Sequence, residues 1–172
     1  MSVVDTVEEY MSGPMSRWIR DSSVLPQWLA PQPACRVYHS VNQSVADATG
    51  QQLVFDSEDF DNKSMHSTVS NTGLITIPSN GLYLVTATTQ WAANAVGLRE
   101  TVIVNSVAGT VAAVDQVTVG AGSSTEQSVS TVWKALAGEN FSVYVFQDSG
   151  AALNLLAAAN YAPTFSVVRL NS

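Results

Sequence analysis

The stretch Gly73-Leu-Ile-Thr-Ile-Pro-Ser-Asn-Gly-Leu-Tyr-Leu-Val-Thr-Ala-Thr-Thr-Gln-Trp91 decides the fold. Two apolar segments flank a tight corner, Pro78-Ser-Asn-Gly81. In the second segment Tyr83, Val85, Ala87 and Trp91 fall on one face of an extended chain. Side chains of a strand point alternately to its two faces, so period-two alternation bounded by Pro and Gly marks a half-buried antiparallel strand.

The same texture continues on both sides. From Ala34 onward the sequence reads as strands near 34–40, 51–56, 64–69, 73–78, 81–92, 98–106, 108–119, 126–136, 140–147, 152–158 and 162–170. Turn-forming clusters separate them, among them Asp47-Ala-Thr-Gly50, Asn71-Thr-Gly73, Ala137-Gly-Glu-Asn140 and Asp148-Ser-Gly150. Short strands at this spacing point to an all-β sandwich or barrel. In the strand 140–147, Phe141, Val143 and Val145 share one face, while Tyr144 and Phe146 share the other. Apolar residues on both faces suggest that the outer face is covered as well, which makes Tyr144 and Phe146 candidates for an interface between subunits.

Residues 1–33 have a different character, and the division 1–33 and 34–172 is the expected domain organisation. Ser2 and Asp5 resemble a capping box, and Val3, Val4, Val7, Tyr10 and Met11 keep helical spacing until Ser12-Gly-Pro14. Ser16-Arg-Trp-Ile-Arg-Asp21 follows, and then Pro26, Pro31 and Pro33 impose an extended path around Trp28 and Leu29. A helix this short is marginal in water by itself. The expectation is a docking arm whose Val7, Tyr10, Trp18, Ile19, Trp28 and Leu29 insert into a partner. The competing reading is an arm folded back on its own domain or on a sister subunit.

Composition narrows the function. Of the 172 residues 46% are hydrophobic and only 12% are charged, about half the ~25% usual for a soluble domain. So few charges suggest a surface largely buried in an assembly. The net charge is −7, and the seven basic residues are scattered, which disfavours nucleic acid and an anionic membrane surface as partners. Cys35 is the only cysteine, so neither an intrachain disulfide nor a cysteine zinc site can form. The opening residues carry Asp5, Glu8 and Glu9 and do not read as a signal peptide. No apolar run approaches the ~20 residues of a membrane-spanning helix. The expected origin is a cytoplasm.

Several motifs of the β region carry a family resemblance. Leu53-Val-Phe-Asp56 looks like the opening segment of the globular head of complement C1q. Asn71-Thr-Gly73 with Leu74-Ile-Thr-Ile-Pro78 resembles that family's Thr-Gly-x-Phe-x-x-Pro, and Gly81-Leu-Tyr-Leu84 resembles its Gly-Val-Tyr-Phe. Val102-Ile-Val-Asn105, Leu136-Ala-Gly-Glu139 and Thr164-Phe-Ser-Val-Val-Arg-Leu170 follow in the family's order. The departures are Leu84 for an aromatic, Glu139 for Asp, no closing glycine near Ser166, and no collagen-like stalk. The resemblance, over Ala34 to Leu170, implies a ten-stranded jelly roll of the C1q and tumour-necrosis-factor (TNF) type, assembled as a homotrimer. It also implies Ca²⁺ as a candidate ligand, since some members of that group bind it.

Chemistry-bearing constellations are sparse. His39 and His66 have no recognisable nucleophile beside them, and no Gly-x-Ser-x-Gly elbow occurs. No catalytic residue and no cofactor site is expected, and Cys35 reads as a small core residue. Asp56, Glu58, Asp59 and Asp61 offer oxygens to Ca²⁺, although the EF-hand pattern is lacking; the alternative is a solvated loop after a strand. The combined expectation is a structural virion protein of a tailed bacteriophage, made in the host cytoplasm. Its arm would join other virion proteins at the tail tip or baseplate, and its trimeric head would adhere to a host-surface glycan or protein. Capsid decoration is the alternative, and a glycan-degrading enzyme ranks below both.

Overall fold

The computed structural model describes residues 31–107, 109–120, 122–157 and 163–171, with only the backbone of Asn171. Twelve strands are formed: β1 (Ala34–Tyr38), β2 (Gln43–Val45), β3 (Gln51–Gln52), β4 (Ser57–Asp61), β5 (Leu74–Thr76), β6 (Gly81–Trp91), β7 (Leu98–Asn105), β8 (Thr110–Thr118), β9 (Thr125–Ala135), β10 (Asn140–Gln147), β11 (Leu153–Leu155) and β12 (Thr164–Asn171). All pairings are antiparallel and make two sheets. In the seven-stranded sheet β6 pairs with β9 along one edge and with β12 along the other; β1 and β4 follow β12. The short β11 and β2 extend this sheet past the end of β12, where Leu155 meets Trp91. In the five-stranded sheet β10 pairs with β7, and β7 with β8, while β5 and β3 pair in succession with the other edge of β10.

The core lies between the two sheets. Tyr83, Val85, Ala87 and Trp91 are all buried, as the alternation requires. Phe141, Val143 and Val145 face them from β10. Phe55 stacks on Phe165 with ring centroids 5.8 Å apart, and Trp133 meets Phe141 edge-on at 6.3 Å. Offset and edge-on ring pairs of this kind add to the gain from burial alone.

The Pro78-Ser-Asn-Gly81 corner is no hairpin. β5 lies in the five-stranded sheet and β6 in the seven-stranded one, so the corner carries the chain between layers. It is held from three sides. Tyr83 Oη donates to the Ser79 carbonyl at 2.7 Å, Arg169 Nη2 to the Asn80 carbonyl at 2.6 Å, and the Ala137 amide to Asn80 Oδ1 at 2.8 Å.

Two sequence expectations are corrected. No strand forms over 64–69: Ser64 has φ +51°, which breaks an extended path, and Met65 instead turns inward while its carbonyl accepts from the Thr76 amide. The acidic run is a strand, β4, and not a loop. Four carboxylates among the six residues 56–61 look like solvated coil, but β4 is the last strand of its sheet, where charge is tolerated and discourages pairing with other chains. The expected ten strands become twelve, through short pieces such as β2, β4 and β11 and not through a further layer. Among the described residues there is no helix. The docking-arm residues Val7, Tyr10, Trp18, Ile19, Trp28 and Leu29 lie outside the described residues.

Candidate interaction surface

The acidic residues of β4 and its flank each have a partner of their own. Asp59 pairs with Arg36 Nη1 at 2.7 Å. Glu58 Oε1 lies 2.9 Å from His66 Nδ1, whose other ring nitrogen is 3.1 Å from the Thr72 carbonyl. Asp61 accepts from the backbone amides of Lys63 and His66. Asp56 accepts from the amide and hydroxyl of Ser40 and from the Ser57 hydroxyl, and faces His39 at 3.9 Å. Burial alone would raise the Asp56 carboxyl; the bonds from Ser40 and Ser57 and the nearby His39 outweigh it and hold it below the ordinary carboxylate value. Asp56, Glu58, Asp59 and Asp61 are thus spent on separate contacts. Among the described residues no three His, Cys, Asp or Glu side chains form a group arranged to hold a metal ion.

Nucleophilic chemistry has little footing in the same region. Cys35 is fully buried, and burial, reinforced by the nearby Asp61 and Glu58, pushes its thiol far above the ordinary value. Such a thiol does not become the thiolate that attacks or ligates.

The outer face of the seven-stranded sheet is the feature that stands out. Because Tyr83, Val85 and Ala87 point inward, Leu82, Leu84, Thr86 and Thr88 point outward. The register then aligns Val132, Leu84, Val168 and Ala34 in one row across four strands. The next row is Ser130, Thr86, Ser166 and Arg36, and the third is Ser128, Thr88, Thr164 and Tyr38. Across β9, β6 and β12 these rows hold no charge. Between β6 and β12 the hydroxyls satisfy one another: Thr86 Oγ1 is 2.6 Å from Ser166 Oγ, and Thr88 Oγ1 is 2.5 Å from Thr164 Oγ1. Val132 is 52% exposed at the head of the first row. A face of aliphatic groups and internally paired hydroxyls loses little when water is removed from it.

Tyr144 and Phe146 lie on the opposite side of the molecule, on the outer face of the five-stranded sheet. Tyr144 is 38% exposed and lines up with Gln52, Val102 and Val114; Val114 is also exposed. Phe146 is half-buried beside Glu100 and Gln116. The structure therefore keeps both aromatics outward. Sequence reasoning missed the face around Leu84, whose rows appear only once β9, β6 and β12 are in register.

The family-like motifs sit where packing needs them. A Cβ at Gly73 would lie 2.6 Å from the Leu53 carbonyl oxygen, so only glycine lets these two backbones approach. Asn105 is buried and donates to Glu139 Oε2 at 2.8 Å, which joins the end of β7 to the turn before β10.

The chain matches no protein-family model and no curated protein. Its likeness is to solved structures. Murine APRIL at pH 5.0 superposes with a TM-score of 0.60 at 8% identity, over 81% of this chain and 99% of that one. The fold is the C1q/TNF-like jelly roll. The Eiger TNF of S. frugiperda matches with a TM-score of 0.57 at 14% identity, over 83% of this chain and 94% of that one. The globular domain of zebrafish complement 1qA matches with a TM-score of 0.54 at 15% identity, over 81% and 98%. At such identities the C1q/TNF-like likeness speaks for the architecture alone.

Proposed function

We propose that the chain is a non-enzymatic structural protein whose jelly roll self-associates as a homotrimer. The observation that carries this reading is the charge-free stretch of the seven-stranded sheet's outer face across the middle of β9, β6 and β12, with Val132, Leu84 and Val168 in one row. A surface of this kind is costly to leave in water over a large area and favourable to cover with a second copy. A three-fold ring joins two different patches of each protomer head to tail. The face around Leu84 supplies one patch, and Tyr144 and Phe146, with Val102 and Val114, supply the other. The 12% charge content supports the same picture.

Within this reading the protein is a virion component of a tailed bacteriophage, attached through the arm at its N-terminal side and presenting the trimeric head for host-surface adhesion. Support comes from an arm that carries Trp18 and Trp28 beside a head with few charges. The copy number of the protein in the particle separates a tail-tip position (few trimers) from capsid decoration (many).

Sedimentation of the full chain tests the oligomer. The wild type is expected at three times the chain mass, Leu84→Glu at the monomer mass, and Tyr144→Glu with weakened association. A wild type that stays monomeric at high concentration would refute the trimer. An intact trimer for Tyr144→Glu would remove Tyr144 from the interface.

A further inference from the structure

Only seven residues of this acidic chain are basic, and two of them, Lys63 and Arg169, line one pocket. The pocket has a volume of about 290 Å³ and sits where the described chain enters β1. Pro31, Pro33 and Pro78 give it apolar walls, and no acidic residue lines it.

The walls are fixed. Asn62 Nδ2 donates to the Gln32 carbonyl at 2.8 Å, and Asn62 Oδ1 accepts from the Ala34 amide at 2.9 Å. The Arg169 amide donates to the Pro33 carbonyl at 2.8 Å. The Arg169 side chain closes the opposite wall, where Nη2 donates to the Asn80 carbonyl.

The buried cation is poorly satisfied. Arg169 is only 9% exposed, and its Nε–H has no hydrogen-bond partner among the described residues. A guanidinium offers five donors, and among the described residues one is engaged, by a neutral carbonyl. Lys63 makes no ion pair with an acid among the described residues. The nearest acid in sequence, Asp61, is held by the amides of Lys63 and His66 and does not line the pocket. A largely buried cation without a counter-charge is unfavourable, and apolar walls that lower the local dielectric strengthen its pull on an anion.

We propose that this pocket binds an oxyanion, the carboxylate or phosphate group of a small solute, between the guanidinium of Arg169 and the ammonium of Lys63. The size suits a small ligand. A guanidinium is well matched to both groups because it donates parallel N–H bonds to paired oxygens.

The test is an NMR titration of the ¹⁵N-labelled full chain with sodium phosphate, and separately with sodium acetate, each against sodium chloride at equal ionic strength. The expected result is a saturable shift of the Arg169 Nε–H and Lys63 amide signals with phosphate, acetate or both, and none with chloride. A response to phosphate alone assigns a phosphate ligand; an equal or stronger response to acetate assigns a carboxylate. Lys63 is exposed, so Lys63→Ala should leave the fold intact while weakening the apparent affinity about fivefold, the scale of one exposed ion pair. Lys63→Arg should restore it. Signals that move no further with phosphate or acetate than with chloride, or an affinity unchanged in Lys63→Ala, would overturn the assignment.

Discussion

Tyr83 shows how one residue serves both the core and a corner. Its ring is fully buried between the sheets, and its hydroxyl reaches the Ser79 carbonyl that turns the chain from β5 to β6. Tyr83→Ala should therefore cost about 3–5 kcal/mol, as for other large-to-small core changes, measured by urea denaturation. A loss below about 1 kcal/mol would mean that the ring carries little packing. Asp56 predicts a pH dependence. Its folded carboxyl sits below the ordinary value, so its contribution is present above about pH 3.9 and fades as pH falls through the folded value. The contribution is small, because the carboxylate is partly exposed. In Asp56→Asn the acid-side loss of melting temperature should be shallower than in wild type, and parallel curves would contradict this. Arg99 is the residue that sequence reading missed altogether. It is fully buried with its guanidinium 5.7 Å from the Trp91 ring, and burial lowers its pKa against the opposing pull of Asp148. No period or motif announces a charged side chain that turns into a core.

At the scale of elements, the loop between β6 and β7 is held by a close approach. Gly97 has φ +81°, and a Cβ there would collide with the carbonyl and carboxylate oxygens of Asp148, whose Oδ1 also accepts from the Leu98 amide. Gly97→Ala should destabilise by about 1–3 kcal/mol, read as a lower denaturation midpoint with an unchanged slope. An unaltered midpoint would show that the two loops part freely. The long strands were legible in the sequence because each buries one face: β6 alternates from Leu82 and β7 throughout, and the inward positions of β10 follow from Phe141, Val143 and Val145 although Ser142 is buried too. The short strands were not. β2 has three residues, two of them polar, and β4 has four polar residues of five, so neither shows a hydrophobic period. β4 is a strand because β1 offers it a free edge, from Cys35↔Asp61 to Tyr38↔Ser57 with a bulge between. Such pairing is tertiary information. The same limit applies to the interaction surface: Tyr144 and Phe146 could be read from one strand, whereas the face around Leu84 needs three strands in register.

For the whole molecule, the resemblance carried by Phe55, Gly73, Tyr83 and Phe165 led to the right architecture, since those residues build the core and its close contacts. It carried no comparable signal for a partner, because surfaces are free to vary where cores are not. The arm belongs to this scale. Removal of residues 1–30 keeps the segment that Asn62 and Arg169 hold, so the head should stay folded, with its stability within about 1 kcal/mol of wild type; under the proposed virion role it should lose incorporation into the particle. A truncated chain that still assembles would assign attachment to the head itself.

The placement of β1 has a mechanical consequence. This strand lies between β12 and β4, bonded to each. Tension arriving through the preceding segment would enter the sheet at an interior strand, and a pull along that strand must shear both ladders at once instead of peeling one from a margin. Under the proposed attachment, a head tethered in this way would resist detachment by flow or collision at the very point where it is leashed.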